Sequence, residues 1–157
     1  MGCPILDDAI VAGVLGSSVE SHVTTNIVPG FDSCDFVDSA GTDFGITRQS
    51  GAFGPADAAG AAALAVKYIP QLPDEARAQI DTLSQIGIKI AVPGYQLTPV
   101  DGVGDAALWV KTELVPGSFK DSLLVQHGTD AFAFDTDDSP EAQSKLTALA
   151  QAVLSSQ

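Results

Sequence analysis

The chain has 157 residues, enough for one domain with a real hydrophobic core. Seven Lys/Arg stand against 20 Asp/Glu, and the resulting net charge of −13 disfavours nucleic acid and anionic membrane surfaces as partners. Only 17% of residues are charged, so base is scarce rather than acid dense, and no stretch is long and apolar enough to be a transmembrane segment.

In chain order, Asp7 to Leu15 reads as a short helix, with Asp7 as N-cap, Ile10, Val11, Val14 and Leu15 as its apolar stripe, and Gly16 as the residue that closes it. From Val19 to Val28 the period changes to two. Val19, Val23 and Ile27 then face one way and Glu20, His22, Thr24 and Asn26 the other. Pro29-Gly30 is a turn, followed by strands Ser33 to Val37 and Asp43 to Arg48. Pro55 fits the first position of a second helix reaching about Ile69, and Pro73 starts a third reaching about Ile86. Ile88 to Val92 is a short strand. Residues 93–104, with two prolines and three glycines, read as a loop long enough to carry function. Strands Asp105 to Val115, Asp121 to Gln126 and Thr129 to Asp135 follow, the last two joined by a tight turn at His127-Gly128. In the final helix Ser139 is the expected cap and Pro140 the first residue, with Leu146, Leu149, Ala150, Val153 and Leu154 on one face.

Clustered strands flanked by helices predict an α+β fold with a mainly antiparallel sheet, in one domain over residues 1–157. Each half reads roughly helix–strands–helix, a weak hint of internal duplication.

Cys3 and Cys34 are the only cysteines. As a disulfide they would close a loop of about 30 residues, stabilising by about 3–4 kcal/mol in the chain-entropy model. As free thiols they would be small buried hydrophobes. If the first helix packs on the sheet, the two can meet. Met1-Gly2-Cys3 also looks like the end of a lipoprotein signal, but Pro4-Ile5-Leu6-Asp7 runs straight into a helix where a polar tether is expected. Met1-Gly2 is therefore read as a remnant and Cys3 as structural.

Chemistry-bearing motifs are few. Asp135, Asp137 and Asp138, with Glu141, could supply oxygens to calcium, but the spacing is not that of an EF-hand, and carboxylates before a helix are explained by capping and the macrodipole. Gly102 to Ala107 matches GxGxxA. The motif needs a strand before it and a helix after it, and Leu108-Trp109-Val110 reads as strand. His22 and His127 lack any adjacent nucleophile motif. Tyr95 and Trp109 are the aromatic candidates for contact with a ligand or partner. No catalytic residue and no cofactor is expected.

The opening Cys3-Pro4-Ile5-Leu6-Asp7-Asp8 with Val14-Leu15-Gly16, the later Ser33-Cys34-Asp35-Phe36, and Val100 to Trp109 resemble segments of small secreted lipoproteins of actinobacteria. The resemblance implies paired cysteines and an exported domain of no assigned activity at the extracellular face of the cell envelope. It also implies a lipid anchor in a precursor, although the lipobox is absent from this sequence. Three functions compete: a non-catalytic domain binding a small molecule, envelope component or protein; a hydrolase using His22 or His127 with nearby carboxylates; and an acidic inhibitor or immunity-type protein docking a basic partner.

Overall fold

A computed structural model describes residues 2–25, 28–54, 60–69, 74–75, 90–92 and 94–156. Its elements are α1 (Asp8–Leu15), β1 (Val19–Thr25), β2 (Phe31–Asp38), β3 (Asp43–Gln49), α2 (Ala61–Tyr68), β4 (Ile90–Val92), β5 (Tyr95–Val100), β6 (Ala106–Val115), β7 (Ser118–His127), β8 (Asp130–Asp137) and α3 (Ala142–Ser155). The fold is α+β. One eight-stranded sheet runs in the order β1-β2-β3-β8-β7-β6-β5-β4, every neighbouring pair antiparallel. It consists of two meanders, β1–β3 and β4–β8, joined where β8 lies beside β3.

Strand alternation gives the sheet two faces. The first carries Cys34, Phe36, Phe44, Ile46, Leu123, Val125, Phe132 and Phe134, packed with Val11 of α1 and Leu146, Leu149, Ala150 and Val153 of α3. The second carries Leu97, Leu108, Val110, Leu124, Ala131 and Ala133 with Leu64 and Ala65 of α2. The segments Leu123 to Val125 of β7 and Ala131 to Phe134 of β8 are thus buried on both sides, which is why they are continuous apolar runs. In β8 the division is by size: Phe132 and Phe134 fill the first face, Ala131 and Ala133 let α2 come close on the second.

Asp7 caps α1, its Oδ1 accepting from the Ala9 amide at 2.8 Å, and Gly16 ends it in the left-handed conformation (φ 69°). The Cys3–Cys34 disulfide (S–S 2.06 Å, Cα–Cα 5.9 Å) ties the segment before α1 to β2 within the first core. No described helix is long and apolar enough to cross a membrane.

Two sequence expectations are corrected. Residues 95–100 of the expected loop form β5, in register with β6 from Tyr95↔Thr112 to Val100↔Ala107. The proline is tolerated because Pro99 lies past the end of β4, which pairs only with residues 95–97, so no described strand needs an amide there. Helix α3 begins at Ala142, without a side-chain cap from Ser139. The Ser139 carbonyl instead accepts from the Ala142 amide at 3.2 Å, a tight turn through Pro140 and Glu141 that precedes the helix. Of the helix expected at 55–69, α2 covers the part from Ala61, and residues 55–59 lie outside the described residues. The helix expected at 73–86 lies almost wholly outside them too, only Asp74 and Glu75 being described, both helical.

Candidate binding site

Helices α1 and α3 cover the first sheet face from β1 to β7, and beyond β7 the face continues onto β6 and β5 with no described helix over it. There Trp109 and Lys111 of β6 and Gln96 and Thr98 of β5 form the floor of a cavity of about 410 Å³. Its wall is the segment entering α3: Asp138, Ser139, Pro140 and Gln143. Strand register sets the floor. Asp121, Lys111 and Gln96 form one cross-strand row, and Leu123, Trp109 and Thr98 the next. The second row carries the core outward, from buried Leu123 to half-buried Trp109 to polar Thr98.

The chemistry concentrates at Asp121. It is only 2% exposed, and its Oδ1 has no hydrogen-bond partner among the described residues. Burial, then the hydrogen bond to Asp138 and the charge of that neighbour, push the Asp121 carboxyl up to about 6. Lys111 and the Ser139 backbone amide oppose the rise. Asp138 moves the other way: the hydrogen bond from Asp121 comes first and Lys111 second in holding it below its ordinary value. Lys111 Nζ lies 3.3 Å from Asp138 Oδ1 and 5.1 Å from the centre of the Phe119 ring. The cavity therefore holds two carboxyl groups that share a proton on the acid side, and one lysine already engaged twice.

The other sequence candidates are dispersed. Tyr95 sits on the opposite face of the sheet from Trp109, against the core under α2. Asp135 also lies on that second face, 3.3 Å from Lys120 Nζ. Asp137 is exposed at the end of β8, and only Asp138 reaches the cavity. Alternation along β8 separates these carboxylates, and the described residues contain no group of His, Cys, Asp and Glu arranged to hold a metal. His22 and His127 are both exposed, and β2, β3 and β8 lie between their strands, an offset of about 19 Å. They share no cleft. The turn at 101–105 is exposed except at Val103, and it is pinned to the core. Val103 is buried in the first core, and Gln151 Nε2 donates to the Gly102 carbonyl at 3.0 Å. At Gly104 (φ 60°) a Cβ would stand 2.6 Å from the Gln126 carbonyl oxygen, so only glycine fits.

A second polar region occupies the open half of the second face. His22, Asp35, Gly45, Asp135 and Ser122 follow one another across β1, β2, β3, β8 and β7. The Asp135 carboxyl lies over Gly45, where a Cβ would be 2.7 Å from its Oδ1. Partial burial, then Asp43 and Asp135, raise the Asp35 carboxyl. A larger and more open hollow of about 560 Å³ is lined by Gly2 to Asp8, Ile10 and Ser156. It contains no aromatic residue.

Sequence reasoning missed Asp121, the most unusual group in the molecule. A signal was present: Phe119, Asp121, Leu123 and Val125 are in phase, so an acid stands in a core-facing stripe.

No protein-family model matches the chain, and comparison with curated proteins likewise gives no significant match.

Proposed function

We propose that this protein is a non-catalytic binding domain that holds a small polar molecule in the cavity between β5–β7 and the start of α3. The observation that carries this reading is the composition of that cavity. An aromatic ring, two amides, two hydroxyls and a charged triad converge on one concave space, and neither histidine lies in it. The hydrolase reading that relies on His22 or His127 is not favoured, because both are exposed, lie four strands apart and stand outside the cavity. The buried Cys3–Cys34 disulfide supports work in an oxidising compartment, in line with an exported domain at the cell envelope and with the resemblance to secreted actinobacterial lipoproteins.

Trp109 is the only tryptophan, so its emission reports directly on the cavity. Screening small envelope-derived molecules against intrinsic fluorescence should give a saturable change for a ligand. Trp109→Phe should abolish the signal while calorimetry still detects binding. Saturable binding that persists when Asp121, Lys111 and Trp109 are all replaced would place the ligand elsewhere and overturn the reading.

A further inference from the structure

We propose that the ligand of this cavity is a small organic cation, whose protonated amine or guanidinium lies against the Trp109 ring and donates to the Asp121 carboxylate. The inference rests on the reading of the cavity as a binding site and adds the chemical class. Three observations converge on it. Asp121 Oδ1 is a buried acceptor without a donor among the described residues, and a charged donor satisfies such an oxygen best. The cavity carries two carboxyl groups against one lysine, and Lys111 is already committed to Asp138 and to the Phe119 ring. The floor presents an indole, the strongest aromatic partner for a cation.

Other classes fit less well. An anion could approach Lys111, but Asp138 already occupies it. A neutral polyol could donate to Oδ1 and would leave the second carboxylate charge uncompensated.

Binding of this kind is linked to a proton. The groups facing Asp121 are Lys111 on β6, Asp138 and the Ser139 amide before α3, and the non-ionising Thr136 opposite it on β8. With its carboxyl titrating near 6, Asp121 is charged at pH 7.5 and mostly protonated at pH 5. A cation then competes with the proton, and affinity should fall about tenfold between those pH values.

The test titrates the intact chain with agmatine, putrescine, glucose and lactate, by Trp109 emission and calorimetry, at both pH values. Agmatine or putrescine should saturate, about tenfold more weakly at pH 5. Asp121→Asn should weaken the cation at least tenfold and flatten its pH dependence, with circular dichroism unchanged. If that variant is unfolded, Trp109→Ala against Trp109→Phe gives the same decision by calorimetry: loss with Ala, retention with Phe. Equal saturation by glucose or lactate at both pH values would overturn the cation while leaving the binding site standing. No saturable response to any of the four would overturn the site as well.

Discussion

From β2 to β8 the first face of the sheet lies under α1 and α3 and is filled by Phe36, Phe44, Phe132 and Phe134. Two strands further on, the same face carries Gln96, Thr98, Trp109 and Lys111 around a cavity over which, among the described residues, only the segment entering α3 stands. Both halves are laid down by the same antiparallel register, so backbone geometry does not separate them. Coverage does: the paired helices span β1 to β7, and the strands beyond must end in polar side chains or stay exposed. The filled half is built for stability, being dry, aromatic and cross-linked by Cys3–Cys34. The hollow half keeps a buried acid with an unsatisfied oxygen, a cost that a packed core would not retain.

The contrast predicts where substitutions hurt. Phe134→Ala, in the filled half, should destabilise by about 3–5 kcal/mol, read from denaturant midpoints at constant m-value. Phe134 is 1% exposed and stacks near Phe132, with ring centres 6.3 Å apart, so the void cannot collapse easily. A loss below about 1 kcal/mol would mean this half is not the mechanical core.

Removing the disulfide should come next. The double replacement of Cys3 and Cys34 by serine should cost about 3–4 kcal/mol through the freed unfolded chain, with some native packing lost as well because both residues sit in the core. Reductant should lower the thermal midpoint of the wild type and leave that variant unaffected. The cavity end has no direct link to the bridge, so ligand affinity at a temperature where both forms are folded should not change.

The hollow half predicts a gain. Folding raises the Asp121 carboxyl from 3.8 to about 6, so its contribution to stability is full below pH 4 and is lost as pH rises through 6. Asparagine keeps the donor to Asp138 and cannot ionise. Asp121→Asn should therefore stabilise the ligand-free protein by about 1–2 kcal/mol at pH 7 and by almost nothing at pH 4. A loss of stability at pH 7 would show that the carboxylate is satisfied in the folded state, contrary to the hollow-site reading.

How much of this was legible in the sequence follows the same division. The filled half was readable because its signals are periodic: the Val19/Val23 alternation, the Leu146–Leu149–Val153 stripe, the Asp7 cap and the cysteine pair all state local geometry. The hollow half was not, because it is assembled from β5, β6, β7 and the entry to α3, whose juxtaposition depends on sheet order. Pro99 and the glycines of 93–104 concealed β5, and without β5 there was no floor. Trp109 and Asp138 were each noticed alone, as aromatic and as acid, but their partner Asp121 lay inside a run that reads as an ordinary strand.

The smallest effect should come from Lys111→Ala, and it is the sharpest probe of the comparison. The Lys111–Asp138 pair has both partners about one-third exposed, so its loss should change stability at neutral pH by no more than about 0.5 kcal/mol. Titration should move more. Lys111 opposes the rise of Asp121 and helps hold Asp138 down, so without it both carboxyls should shift upward, and one proton should be retained by the pair to higher pH. The pH at which Asp121→Asn begins to outlast its parent should accordingly move up in the Lys111→Ala background. The filled half provides the control. Lys145 lies 5.8 Å from the Phe44 ring, and Lys145→Ala should leave that pH profile in place, since no buried acid there depends on it. If both lysine replacements shift the profile alike, the titration belongs to the net charge of the whole chain and not to the cavity.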